Sequence, residues 1–133
     1  MANKSKYHNE PVTVDGVRYD SKSEFRRWCF LKMLQQAGEI SNLRYHVKYE
    51  LVPIVEKDVV VHLKTKDKVV TKTIQQPRYY EADFVYVVNK TGEEVVEDFK
   101  GQETELFKFK AALFFYKYRK AIRIVKQINE DVY

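Results

Sequence analysis

The sequence predicts an α/β domain: a mixed, largely antiparallel sheet flanked by helices, with an N-terminal β-hairpin and a second, inserted hairpin. Three observations predict it. The order of segments is hairpin, helix, several strands, helix, strand, which suits one sheet with helices packed against it. Two segments keep helical spacing between apolar residues, and the others alternate as strands do. The length, 133 residues, suits one domain over residues 1–133 with one core.

The elements follow in order. "VTVDGVRYD", residues 12–20, alternates around Asp15-Gly16, a strong signal for a two-residue hairpin. A helix is expected from about Lys22 to Ala37, with Ser21 as N-cap and Gly38 closing its C-terminus. "LRYHVKYELV" (43–52) reads as a strand ended by Pro53. "VVVHL" (59–63) and "VVTKTI" (69–74) flank "KTKDK" as a charged, exposed hairpin. "RYYEADFVYVV" (78–88) is the strongest strand, and "NKTG" turns it into "EEVVEDFKG". A second helix is expected from about Thr104 to Arg119, with Phe107, Ala111, Phe114 and Tyr118 toward the sheet. "AIRIV" (121–125) is a final short strand.

Composition bounds the function. Hydrophobic residues make up 44% and charged residues 32%, as in a soluble globular chain. No run approaches the length needed to cross a membrane, and "MANKSKYHNE" lacks the apolar stretch of a secretory signal. The one cysteine, Cys29, excludes an internal disulfide; set among Phe25, Trp28, Phe30 and Met33, it reads as buried core in a protein of the reducing cytoplasm. The net charge of +5 points weakly toward a polyanion, since acids lie among the bases. On the second helix Lys108, Lys110 and Lys117 fall off the apolar face, where they either meet phosphates or are simply solvated.

The chemistry centres on "VVEDFKG", residues 95–101. Asp98 and Lys100 lie two apart and share one strand face. If "NKTG" is a four-residue loop, Asp83 falls opposite Asp98; a two-residue loop sets Asp83 opposite Lys100 instead. Opposed like charges destabilise a sheet. A divalent cation offsets both carboxylates, polarises a phosphoryl oxygen and acidifies a bound water, and a lysine beside it stabilises developing negative charge. A surface ion pair explains the same spacing, and spacing alone does not choose. Glu24 shares a helical stripe with Trp28 and Leu31, and Ser21-x-x-Glu24 is also a capping box, which accounts for both residues without any site.

Glu24 on an early helix, Asp83 in a strand and Asp98-x-Lys100 in the next resemble the PD-(D/E)XK nuclease pattern. The likeness is to a small phage and prophage family, formerly a domain of unknown function, related to Holliday-junction resolvases. It rests on "YDSKSEFRRW", "AGEISNLRYHVKYELVP", "YYEADFVYV", "VVEDFKG" and Thr104-x-x-Phe107-x-x-Lys110. The resemblance implies a restriction-endonuclease-like αβββαβ core, with Asp83, Asp98 and the Phe99 carbonyl holding Mg²⁺ or Mn²⁺. It implies Lys100 as catalytic lysine, Glu24 as a further catalytic acid reaching metal through water or a second ion, and Lys110 near DNA. Ala82 replaces the family's proline. His46 stands where glutamine is expected; it can still donate a hydrogen bond, although one histidine in an apolar strand is more often packed than ligating.

The expectation is therefore a metal-dependent DNA endonuclease, acting on branched DNA or as a nickase, in the cytoplasm of a phage's bacterial host. A resolvase that makes two symmetric cuts is a two-fold dimer. The alternative is a noncatalytic DNA- or protein-binding module that keeps the nuclease fold, such as a subunit of a phage recombination or packaging complex.

Overall fold

A computed structural model describes residues 12–14, 17–19, 21–99 and 102–132. The elements are β1 (Val12–Val14), β2 (Val17–Tyr19), α1 (Lys22–Gln36), β3 (Ile40–Val52), β4 (Val55–His62), β5 (Asp67–Gln75), β6 (Arg78–Val88), β7 (Glu93–Phe99), α2 (Glu105–Tyr118) and β8 (Ile122–Val125). The central sheet runs β3-β6-β7-β8, antiparallel except for the parallel pair β7–β8 that α2 connects. β1–β2 and β4–β5 form two-stranded sheets of their own. The fold is the mixed α/β arrangement the sequence predicts. No helix among the described residues is long and apolar enough to cross a membrane.

The helices begin and end where short-range chemistry dictates. Ser21 Oγ accepts from Glu24 N at 3.1 Å and opens α1. At the other end Gly38 takes φ +81°, with Gly38 N donating to Gln35 O and Glu39 N to Leu34 O, a Schellman closure. Thr104 caps α2 in the same way, accepting from Phe107 N at 3.1 Å.

Each helix covers one face of the sheet. Leu31 of α1 packs with Ile40, Phe84, Tyr86 and Val88, and Phe107 and Phe114 of α2 pack with Leu51, Tyr80, Ala82, Val85 and Val96. Ala111 and Tyr118 join the α2 cluster as the spacing predicts. Cys29 does not join a core. It is exposed, because α1 buries Glu24, Arg27 and Leu31 and each residue advances about 100° around a helix.

The α1 face also holds a buried ion pair. Arg27 and Glu97 are fully buried, joined by Nε–Oε2 at 2.9 Å and Nη2–Oε1 at 2.7 Å. Tyr86 OH donates to Glu97 Oε1 at 2.7 Å, and Arg27 Nη1 donates to the carbonyls of Ile128 and Glu130. Burial pushes the Tyr86 hydroxyl up, and the Glu97 charge adds to that, so the phenol stays protonated and donates. Arg27 therefore ties α1, β7 and the C-terminal segment into one unit, and Glu97 explains why β7 has no purely apolar face.

Candidate metal centre

The site arises where two strands change face together. In β3, Tyr45 meets Trp28 of α1, whereas Val47 and Tyr49 pack on the α2 side, so the usual alternation fails between residues 45 and 47. In β6, Ala82 lies on the α2 side and Phe84 on the α1 side, which also breaks alternation. In β3 the change of face falls at His46, whose φ is +51°. Histidine is among the few non-glycine types that enter this left-handed region with any frequency. The β3–β6 register holds on either side, through Tyr45↔Phe84 and Val47↔Ala82, and sets His46 opposite Asp83.

Glu24 meets these two from α1. Glu24 is 4% exposed, its carboxylate lies 2.8 Å from His46 Nε2, and donor atoms of Glu24, His46 and Asp83 all lie within 4.8 Å of one another. Aromatic packing fixes the arrangement. Trp28, one turn after Glu24, stacks on Phe84 and meets Tyr45 edge-on, and Tyr45 meets the His46 ring edge-on at 5.5 Å. Ser21 accepts from the Glu24 amide as a capping box requires, while the Glu24 carboxylate turns to His46.

The four-residue loop sets the β6–β7 register: Val88↔Glu93 through Phe84↔Glu97. Asp83 stands at the end of that ladder, where its Oδ2 accepts from Phe99 N at 2.8 Å. Asp98 alternates with Glu97 and so points to the α2 side; Tyr80 OH donates to its Oδ2 at 2.7 Å. Burial pushes the Tyr80 hydroxyl strongly up, followed by the charge of Asp98 and, more weakly, that of Asp83. Both carboxylates thus act on one phenol, yet each has its own protein donor. Lys100 lies outside the described residues.

Two carboxylates and an imidazole form a donor set suited to Mn²⁺ or Zn²⁺, and less so to Mg²⁺, which prefers oxygen alone. The structure thus brings together Glu24, Asp83 and His46, with Phe99 adjoining through its amide. A family model described as a protein of unknown function (DUF1064) matches residues 4–129. The chain belongs to that family. The span that DUF1064 covers includes Glu24, His46, Asp83, Asp98 and Lys100. No curated protein and no solved structure matches the chain.

The lysines of α2 are less available than their spacing suggests. Lys108 pairs with Glu105 at 3.4 Å and Lys117 with Glu50 at 3.3 Å, and Lys110 is half-buried. Just beyond the helix, Lys120 lies 2.8 Å from Glu94; its hydrogen bond is the main cause that holds the Glu94 carboxyl below the usual range. Spacing gave no role to His46 or Tyr80, and only His46 was marked, through the resemblance, as standing where glutamine is expected. The signal for His46 was its place opposite Asp83; for Tyr80, nothing in the sequence marks a phenol as the donor to Asp98.

Proposed function

We propose that this DUF1064 protein is a metal-dependent endonuclease acting on DNA in the cytoplasm of a bacterial host. The observation that carries it is convergence: Glu24 from α1, His46 from β3 and Asp83 from β6 meet within 4.8 Å, and Asp83 accepts from the amide of Phe99, the residue after Asp98. Backbone strain supports it independently. A left-handed non-glycine residue costs about 1–3 kcal/mol, and such residues collect at functional sites.

Glu24, His46 and Asp83 would hold the cation, with Asp98 beside them. A divalent cation in such a site supplies Lewis-acid polarisation of a phosphoryl oxygen and an acidified water. The chain does the rest. The Phe99 amide orients Asp83, and Tyr80 orients Asp98. His46 holds Glu24, and Trp28 and Tyr45 pack against the His46 side of the pair. Lys100 adds positive charge where negative charge develops on the phosphate.

One observation favours a second reading, a DNA-binding module without catalysis. Each carboxylate already has a protein donor: Glu24 has His46, Asp83 has the Phe99 amide and Asp98 has Tyr80. The two readings separate in one assay. The protein is incubated with supercoiled plasmid, linear duplex and a four-way junction, in Mn²⁺, Mg²⁺ or EDTA. Cleavage in Mn²⁺ that EDTA stops, and that Asp83→Asn, Asp98→Asn and Lys100→Ala each abolish, is expected. Binding without cleavage of any substrate in either metal selects the module.

A further inference from the structure

The β4–β5 ribbon is a continuation of β3–β6. Val52↔Arg78 closes the one ladder and Val55↔Gln75 opens the other in the same register, which sets Pro53 opposite Pro77. Proline has no N–H to donate, so opposed prolines cut the ladder and leave the outer part as a separate two-stranded arm.

The register then sorts the arm's charges. Lys57↔Lys72, Val59↔Val70 and Val61↔Lys68 fall on one face; Glu56↔Thr73, Asp58↔Thr71, Val60↔Val69 and His62↔Asp67 fall on the other. Side-chain contacts agree, since Thr71 donates to Asp58 at 2.9 Å and His62 bonds Asp67 at 2.8 Å. Every acid of the ribbon strands thus lies on one face and every lysine on the other. Val59, Val61 and Val70 are half-buried on the lysine face, whereas Val60 and Val69 on the acidic face are 54% and 63% exposed. Lysine stems cover apolar surface in this way while the ammonium groups stay in solvent.

Lys57 and Lys72 are directly opposed, which destabilises a strand pair. Among the described residues neither they nor Lys68 form an ion pair with an acid of this chain. A two-stranded face of three ammonium groups without a carboxylate matches a row of phosphates, and a two-stranded ribbon fits against a duplex. We propose that the lysine face of the β4–β5 arm, through Lys57, Lys68 and Lys72, binds the phosphate backbone of duplex DNA and positions the duplex against the site. The inference rests on DNA as the substrate and deepens that reading. Lys57 lies eleven residues beyond His46 along the same ribbon, at most about 36 Å at strand rise. That is at most about one duplex turn, so Lys57 would contact backbone within about one turn of the cut.

The test is equilibrium binding of the full chain to a labelled duplex of about three turns, in EDTA, followed by anisotropy across rising salt. The variants are the triple Lys57→Gln/Lys68→Gln/Lys72→Gln, the triple with arginine at the same positions, and the opposite-face control Glu56→Gln/Asp58→Asn. Losing three phosphate contacts should make the log–log salt slope shallower by roughly 2–3 and weaken binding about tenfold or more at moderate salt. The arginine triple and the acidic-face control should bind as tightly as wild type or tighter. Melting of the glutamine triple should be unchanged or higher, since the opposed lysine pair is gone. A glutamine triple that binds with the wild-type affinity and slope overturns the inference. So does lysine-dependent binding to phosphatidylserine vesicles with lysine-independent binding to duplex. Cleavage is a separate readout: a protein that cuts nothing yet binds DNA through these lysines retains the arm and loses the nuclease, and the converse result does the reverse.

Discussion

His46 is the residue on which the site turns. Its imidazole meets Glu24 at 2.8 Å only because its backbone is left-handed, and the same φ of +51° moves the following residues of β3 to the other face. Strain and contact can be separated. Glycine adopts this φ without a Cβ penalty of about 1–2 kcal/mol, so His46→Gly should melt higher than His46→Ala. Both should lose any stabilisation by Mn²⁺, and both should lose cleavage. A His46→Gly that melts below His46→Ala would show that the backbone is not strained there. The site was partly legible in the sequence. Glu24 stood out by its stripe with Trp28 and Leu31 and Asp83 by its cross-strand place near Asp98, and these two do meet. His46 stood out only through the resemblance, as a departure from glutamine; spacing gave it no role, because a left-handed φ leaves no mark on alternation until the opposing strand is known. The β6–β7 register is the one that the four-residue loop predicts, running to Phe84↔Glu97, one step short of Asp83 and Asp98. Asp83 also reaches Glu24 and His46, while Asp98 accepts from Tyr80.

At the scale of elements, the strands, helices and turns were nearly all legible, because caps and alternation are local. Ser21, Gly38, Thr104 and "NKTG" fix the ends and the β6–β7 register within a few residues of chain. What was not legible is long-range. Arg27 and Glu97 are 70 residues apart, and each alone reads as a misplaced charge. Together they hold α1 to β7, while Arg27 Nη1 anchors the C-terminal segment at Ile128 and Glu130. Removing one partner of a buried pair leaves the other uncompensated, at a cost of about 3–5 kcal/mol. Arg27→Met should cost that much in a urea titration, and Glu97→Gln less, since its amide oxygen still accepts from Tyr86. The double substitution should be less destabilised than the sum of the two. Equal and additive losses would mean that the pair acts only by filling space. The opposed prolines belong to this scale too: each reads alone as a strand end, and only the register shows that together they divide one long ribbon into sheet and arm.

At the scale of the molecule, three sets of carboxylates and bases have different tasks, and one measurement distinguishes them. Arg27 and Glu97 are closed on each other and have no call on a cation. The acids of the arm are exposed and face away from its lysines. Glu24, His46 and Asp83 are the group whose donors converge, contributed by the helix and by both strands of the ribbon that leads to the arm. A cation held there bridges α1 to the sheet, so its binding should be read as global stability. A ligand bound only by the native state adds RT ln(1 + [L]/Kd), about 2.7 kcal/mol at a hundredfold excess over Kd. The wild type should therefore melt several degrees higher in saturating Mn²⁺, with a smaller rise in Mg²⁺, because one donor is a nitrogen. Asp83→Asn should lose the rise. Arg27→Met should melt lower throughout and yet keep it, since its pair lies apart from the converging donors. The glutamine triple of the arm should also keep it, which separates metal binding from DNA binding. If Mn²⁺ shifts wild type and Asp83→Asn by the same amount, the cation binds elsewhere, and the convergence of Glu24, His46 and Asp83 serves only to pin α1 against the sheet.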